Sequence, residues 1–344
     1  MEEKFKFGPD LCRTAALTLV VITHGVGLSQ AYEYSGMTGA WLGTMAVHVL
    51  SHSCVPLFLL LSGYLGGGRS LSLRYYRGVF RLIVPYVLIS LLCALELPLF
   101  RLGQLSPGGV LAGILDFSLN GYAWYVEMYL GLFLVLPFLN LMWDRIPSRG
   151  WKRAFLGILA LLTLMPDTVE SLLVRWGDLR ILPDYFSVCF PLTYFFLGRY
   201  LREHGETMRP RQGPVLLAVG YLIPLGLVIL RSYVSGSYAG GYTLNTFGSI
   251  FTALCAMGLF LLLTGIPNGG PLKRPLRLIS KVSYEMYLCS FLFDQILYER
   301  LRLPFLLTSF LVLMGSFVLA LLVRLVSEPL IRLCCRLWDR ALKA

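Results

Sequence analysis

The chain has 344 residues, of which 56% are hydrophobic and only 14% charged, and its net charge is +11. Ordinary globular proteins carry roughly 25% charged residues, so this composition argues against a soluble globular protein. The basic residues do not cluster on one face, which argues against nucleic acid as a partner.

Apolar runs recur along the chain, each close to the ~20 residues that a helix needs to cross a bilayer. We predict an all-α, polytopic integral membrane protein of about ten transmembrane helices, forming a single domain over residues 1–344. The predicted spans are about 11–28, 41–65, 80–100, 122–142, 153–166, 185–201, 214–230, 247–266, 282–298 and 303–326. Residues 101–121 are predicted to be a loop or a half-inserted segment.

Lysines and arginines orient the spans, because cytoplasmic loops are enriched in them. With the N-terminus inside, most of the 30 basic residues fall in cytoplasmic segments. The exceptions are Arg101, Arg175, Arg180, Arg231, Arg300 and Arg302. This pattern predicts two cytoplasmic termini in a multi-pass plasma-membrane protein. Lys4 and Lys6 before an apolar run imitate a signal peptide, but the ionisable residues within that run favour an uncleaved helix.

The eight cysteines include no CxxC pair. Six lie in apolar runs and are predicted to be small core residues rather than disulfides or metal ligands. These six are Cys12, Cys54, Cys93, Cys189, Cys255 and Cys289. No metal is predicted.

The first span carries two ionisable side chains. Arg13 and His24 are eleven residues apart, close to three helical turns, so they share one face and lie roughly 16 Å apart. Asp10 precedes Arg13 by one turn and is predicted to pair with it. His24 is a candidate proton acceptor, because intramembrane ionisable groups usually face a cavity or a substrate path. The alternative is that His24 bonds a neighbouring helix and Arg13 anchors the span.

A basic cluster precedes the third span, in GGGRSLSLRYYRGVFRLIVPY (66–86). Arg74, Arg77 and Arg81 are spaced three and four residues apart, so we predict that they line one helix face. Guanidinium groups bind phosphate through two hydrogen bonds, so this face suits a phosphorylated cytoplasmic ligand or anionic lipid headgroups. The alternative is that these arginines only set the topology.

Other polar residues have weaker signals. Glu127, beside Trp124 in the fourth span, is either an acceptor-site carboxylate or a hydrated helix end. His48 and His52 share a helix face, and hydrogen bonding or an acceptor-side lining is favoured over zinc for want of a third ligand. His204 is predicted to be solvated. An interfacial aromatic belt, with sugar stacking as the alternative, is predicted for Tyr32, Tyr34, Tyr233, Tyr238 and Tyr242.

Several short motifs follow one another along nearly the whole chain. They are Asp10-x-x-Arg13 with His24, SCVPLFLLLSGYL (Ser53–Leu65), the arginine-rich entry ending in Pro85-Tyr86, Trp124-Tyr125 with Pro137, YFFLGRYL (Tyr194–Leu201), SYEMYL (Ser283–Leu288) and Ser327-Glu328-Pro329. No single motif is specific, but the ordered set resembles the integral-membrane acyltransferase-3 family.

The resemblance implies transfer of an acyl group, usually acetyl, from a cytoplasmic donor such as acetyl-CoA to a hydroxyl or amine of a cell-envelope glycan or lipid-linked precursor. It implies that His24 is the catalytic histidine and Arg13, paired with Asp10, its partner on the same face. His24 would act as a general base or carry the acyl group itself. Donor binding is implied for Arg77 and Arg81, and a supporting role for Glu328.

The chain departs from the family pattern at two places. The family commonly has Arg-x-x-Arg, whereas here Arg74 and Arg77 have that spacing one turn early and Arg81 follows four residues after Arg77. Many members carry a histidine after the SYxxYL element where this chain has Ser290, which implies a different acceptor. We expect no esterase-like domain after the last span, so transfer is either direct or completed by a separate extracytoplasmic acyltransferase.

Two other protein classes are alternatives. A non-enzymatic transporter or flippase of an envelope precursor would also contain buried charge, but it is expected to show matching halves with broken helices, and no such repeat is found. A sensor or interaction protein is disfavoured because His24, Arg13 and the third-span arginines occur together.

Overall fold

The computed structural model describes residues 7–100, 106–173, 182–238, 246–266, 270–301 and 303–342, and within them it is helical without strands, as predicted. The helices are α1 Phe7–Leu28, α2 Gly39–Ser51, α3 Cys54–Gly66, α4 Leu73–Tyr76, α5 Phe80–Phe100, α6 Pro107–Leu115, α7 Trp124–Arg145, α8 Arg149–Thr163, α9 Met165–Leu173, α10 Phe190–Ser235, α11 Ile250–Gly265, α12 Lys273–Leu301 and α13 Phe305–Ala341. Outside the described residues lie Lys4, Lys6, Arg101, Arg175, Arg180, Tyr242 and Arg302.

Serine and threonine side chains cap several helix starts. Thr38 Oγ1 accepts a hydrogen bond from the Trp41 amide at 3.2 Å, and Ser106 caps α6, whose first residue is Pro107. Such caps satisfy amide groups that have no partner within the helix. The nine-residue α6 gives structure to part of the segment 101–121, which was predicted to be a loop or half-inserted.

Six helical segments are long and apolar enough to cross a bilayer. They are Phe7–Leu28, Gly39–Gly66, Leu73–Leu95, Trp124–Arg145, Ser187–Ser235 and Phe305–Ala341. The pair α8 and α9, bent by 43°, would add a seventh. The predicted spans 247–266 and 282–298 correspond to the 16-residue α11 and to part of α12. These helices indicate a multi-pass membrane protein, while the count of ten and the cytoplasmic termini stay predictions.

The predicted span 41–65 is interrupted between α2 and α3, at His52 and Ser53. Pro56 explains the interruption. It has no amide hydrogen to donate to the carbonyl of His52, four residues earlier, and its ring would clash with that carbonyl in a continuous helix. The sequence motif that contains this proline therefore also marks a break in the helix.

The 46-residue α10 covers two predicted spans, 185–201 and 214–230. The first half of α10 runs alongside α11, from the start of α11 to its end. The Tyr194 hydroxyl donates to the carbonyl of Phe247, just before α11, at 2.7 Å. Arg209 Nε donates to the carbonyl of Leu261, near the end of α11, at 3.1 Å.

The second half of α10 follows α11 in the opposite direction. Gly213 lies against Leu261, whereas Gly220 lies against Cys255, closer to the start of α11. The chain therefore reverses direction between the two halves, in a charged segment that also contains Pro210. The two halves correspond to the two predicted spans, and the residues of the turn between them remain in helical conformation.

The chain divides into two compact units. The first comprises Met1–Gly67 with Met142–Ser280, and the second Gly68–Leu141 with Lys281–Ala344. In the first unit, Gly63 of α3 and Gly198 of α10 lie directly against each other's helix backbone. Small residues allow such close approach between helices in membranes. The single domain over residues 1–344 stays a prediction.

In the second unit, α5, α12 and α13 pack together. The Tyr284 hydroxyl of α12 donates to the carbonyl of Leu82 in α5 at 2.8 Å. Gly315 of α13 lies against the Phe293 ring of α12.

The cysteines are all free thiols. Five of the six predicted core cysteines are buried, and Cys189 is half-buried. The prediction of small core residues is thus confirmed for five of them.

Candidate active site

Asp10, Arg13 and Ser280 form a closed hydrogen-bonded group in the first unit. Arg13 Nη1 lies 3.3 Å from Asp10 Oδ1 and 2.6 Å from Ser280 Oγ, and the Ser280 hydroxyl donates to Asp10 Oδ1. The predicted pair of Asp10 and Arg13 is present. Ser280 was not predicted, because it is 267 residues from Arg13 in the sequence.

His24 lies on the same continuous helix, three turns beyond Arg13. Its side chain is half-buried, between the buried residues Val21 and Gly25. The imidazole interacts electrostatically with that of His52, at the break between α2 and α3. Thr23 reaches the same break, where its side chain hydrogen-bonds Cys54. The helix α1 thus brings an imidazole to a point where the neighbouring span is interrupted.

His48 and His52 lie side by side at this break. Their ring centroids are 4.7 Å apart, with the edge of one ring towards the face of the other. His52 Nδ1 lies 3.0 Å from the carbonyl oxygen of His48, and the Ser51 hydroxyl donates to the same oxygen at 2.7 Å. Side chains therefore satisfy a carbonyl at the end of α2.

Tyr238, which follows the end of α10, contacts this histidine pair. Its hydroxyl lies 3.4 Å from His48 Nδ1, and its ring packs 5.0 Å from that of Tyr32. Burial, reinforced by Tyr32, raises the pKa of Tyr238 to about 12, so its phenol stays a neutral donor. Three histidines and a tyrosine thus form a polar series from His24 towards Tyr32.

The third-span arginines, in the second unit, do not lie on one regular helix. Arg74 lies in the short α4, Arg77 in the 3-10 turn Arg77–Val79, and Arg81 in the first turn of α5. Arg77 Nη1 lies 2.5 Å from Asp339 Oδ2. Arg74 and Arg81 are exposed, and neither has a carboxylate partner within the described part of the chain. The three arginines lie on one helical segment, Leu73–Leu95, which contains a 3-10 turn between α4 and α5. That they share one helix face stays a prediction.

Glu328 belongs to an ion cluster centred on Arg324. Arg324 Nη2 lies 2.9 Å from Glu328 Oε1, and Nη1 lies 3.9 Å from Glu285 Oε1 of the SYEMYL motif. Arg324 also donates to the carbonyl of Lys281. The sequence does not reveal the contacts of Arg324 with Glu285 and Lys281, because these two residues are 39 and 43 residues away.

Ser290 is fully buried, and its hydroxyl donates to the carbonyl of Tyr287 at 2.8 Å. One turn further along α12, Asp294 is also fully buried and accepts a hydrogen bond from the Tyr122 hydroxyl at 2.6 Å. This carboxylate was missed, although an acid in a predicted span is itself a signal.

Glu127 and Trp124 lie in the first turn of α7, and both side chains are exposed. Within the described residues, no group of three or more His, Cys, Asp or Glu residues could hold a metal ion.

A family model described as an acyltransferase domain matches residues 7–325. The chain belongs to the acyltransferase-3 family. The family resemblance is therefore confirmed, and the reaction class is acyl transfer. No curated protein and no solved structure matches the chain.

The acyltransferase-3 match contains most of the predicted site residues. His24, Arg13 and the third-span arginines lie inside it, whereas Glu328 lies three residues beyond its end. Asp339, the partner of Arg77, also lies beyond it. The supporting role of Glu328 thus has less family support than the role of His24.

Proposed function

We propose that this acyltransferase-3 protein moves an acyl group, in the first instance acetyl, from cytoplasmic acyl-CoA to a hydroxyl of a cell-envelope glycan or its lipid-linked precursor at the plasma membrane. Family membership supports the reaction class. The observation that carries the proposal is the placement of His24, which is partly accessible within an apolar helix and interacts electrostatically with His52.

His24 acts on the acceptor hydroxyl. In the first route, its imidazole takes the hydroxyl proton while the acceptor oxygen attacks the thioester carbon, the carbon–sulfur bond breaks, and the proton passes to the departing thiolate. In the second route, an imidazole nitrogen attacks the thioester carbon, the carbon–sulfur bond breaks and the thiolate departs. The acceptor oxygen then attacks the acyl-imidazole, the carbon–nitrogen bond breaks, and the hydroxyl proton passes to the thiolate. Both routes yield an ester and a free thiol.

The third-span arginines bind the acyl donor. Coenzyme A carries several phosphates, and Arg74 and Arg81 have exposed guanidinium groups that suit them. Arg77 is engaged by Asp339 and contributes less charge to a ligand. Acceptor binding is proposed for the polar series from Tyr32 and Tyr238 to His48, since aromatic rings and hydrogen-bonding groups recognise sugars. Glu127 and Trp124 are further acceptor-side candidates.

The test uses purified protein in liposomes, with radiolabelled acetyl-CoA outside and an envelope glycan as acceptor. Release of free thiol together with label on the glycan supports the proposal. Loss of both in His24→Ala, with retention in Thr18→Ala, assigns the reaction to His24. Thr18 is a matched control because it is a polar residue of the same helix whose hydroxyl donates to the carbonyl of Thr14, one turn earlier.

A contrary result would be intact acetyl-CoA and succinyl-CoA in the presence of folded protein. Passage of a glycan precursor across the bilayer without thioester cleavage would then favour the transporter alternative.

A further inference from the structure

Two arginines at the start of α8 converge on one buried tyrosine of α10. Arg153 Nε donates to the Tyr200 hydroxyl at 2.9 Å, and Arg149 Nε donates to the same oxygen at 3.1 Å. Tyr200 is only 6% exposed, whereas both arginines reach the surface. One phenol oxygen thus fixes two guanidinium groups, four residues apart, in the same place.

The carboxylates near this cluster are engaged elsewhere. Glu203 binds Lys152 at 2.7 Å, and Asp144 binds Arg199 at 2.5 Å. Within the described residues, neither of the two converging arginines has a carboxylate partner. Like charges four residues apart on a helix repel each other. An anionic ligand bound by both guanidinium groups would relieve this repulsion.

His204 adds an unused hydrogen-bonding atom. Its ring lies one turn after Tyr200, with the ring centroids 4.6 Å apart, and it interacts electrostatically with both arginines. The Nε2 atom is buried and has no hydrogen-bond partner, since Glu203 Oε2 lies 3.8 Å away. The sequence predicted a solvated His204, whereas the Nε2 atom of this side chain is buried.

We propose that Arg149, Arg153 and His204 form a binding site for a phosphoryl group. Each guanidinium keeps its terminal Nη groups for a ligand after Nε has bonded Tyr200, and such groups bind phosphate oxygens through two hydrogen bonds. The N-terminus of α8, capped by Ser148, adds its partial positive charge. The ligand is a phosphate on a soluble molecule or on a lipid headgroup of the cytoplasmic leaflet. The site does not depend on the proposed acyl transfer.

The test compares the full-length wild type with the double variant Arg149→Gln/Arg153→Gln. Arg145→Gln is the matched control, because it removes one nearby charge that does not contact Tyr200. Adenosine 3′,5′-bisphosphate is the soluble probe, measured by calorimetry in phosphatidylcholine nanodiscs. Retention of phosphatidylglycerol after purification, measured by native mass spectrometry, is the lipid probe.

A soluble ligand gives saturable bisphosphate binding that weakens at least ~tenfold in the double variant but not in Arg145→Gln. A lipid ligand leaves bisphosphate binding the same in the double variant as in wild type, but phosphatidylglycerol retention is lost in the double variant alone. If the double variant fails to fold, Tyr200→Phe replaces it, because this change keeps both charges but frees the guanidinium groups. The proposal is overturned if the folded variants match Arg145→Gln with both probes.

Discussion

The Nδ1 atom of His52 lies 3.0 Å from the carbonyl oxygen of His48, one helical turn earlier. A carbonyl oxygen has no hydrogen to donate, so Nδ1 carries the ring proton in this bond. The neutral ring then presents Nε2 as a hydrogen-bond acceptor. Since Thr23, next to His24 in α1, hydrogen-bonds Cys54 at the same break, we expect His52 to help position the His24 imidazole.

His52→Asn tests this orientation. The asparagine amide can replace Nδ1 as donor to the His48 carbonyl, but nothing replaces Nε2. We expect kcat to fall on the order of tenfold to a hundredfold, because a misplaced base loses reactive geometry, with little change in KM or thermal stability. His52→Gln, which places a polar atom near the Nε2 position, should recover part of the activity. Wild-type kcat in His52→Asn would contradict the role.

The group of Asp10, Arg13 and Ser280 should behave as one cooperative unit. Ser280→Ala is expected to cost about 0.5–1.5 kcal/mol in wild type, because it removes a hydrogen bond to each charged partner. In a protein that already carries Asp10→Asn and Arg13→Gln, Ser280→Ala should lower the free energy of unfolding by less, since both hydrogen-bond partners of Ser280 are altered. Thermal denaturation of wild type and the three variants in one detergent measures the difference. Equal costs in both backgrounds would show that the three residues act independently.

Arg81 and Arg77 should differ in their effects on the KM for acetyl-CoA and on stability. Arg81→Gln should raise the KM for acetyl-CoA several-fold without affecting stability, because this guanidinium is exposed and has no carboxylate partner in the described residues. Arg77→Gln should have the smaller effect on KM and lower stability slightly, because Asp339 loses its partner. Steady-state kinetics with varied acetyl-CoA distinguishes them. A larger KM effect at Arg77 would reverse the assignment.

Close packing of α3 against α10 predicts a strong effect of Gly198→Ala. A Cβ atom there would overlap the carbonyl oxygen of Leu60, so the helices must separate, at a cost of about 1–3 kcal/mol. Gly226→Ala is the matched control in the same helix, where the added atom meets none of the described residues within 4 Å, and it should be neutral or slightly stabilising. Thermal stability in detergent checks both. Equal stability of the two variants would contradict the packing.

The sequence predicted the features that depend on local pattern. The helix α1, the one-turn spacing of Asp10 and Arg13, and the two directions of α10 follow from apolar runs, helical periodicity and charged turns. The break before Pro56 could also have been predicted, because proline removes a helical hydrogen bond.

Contacts between distant segments could not be predicted in this way. Ser280 meets Arg13, and Arg324 meets Glu285, only after the chain has folded. Likewise, Arg149 and Arg153 look like topology signals until Tyr200 is seen between them. Helical periodicity gives the face of a residue but not the helix that packs against it.

The most direct test of the account is acyl transfer by His24→Ala, measured at matched protein levels with Thr18→Ala as control. We expect the turnover of acetyl-CoA to fall by about 10²–10⁴-fold, the range for loss of a general base, while Thr18→Ala keeps wild-type turnover. Turnover within a few-fold of wild type in folded His24→Ala would contradict the account, and would assign this histidine to helix packing.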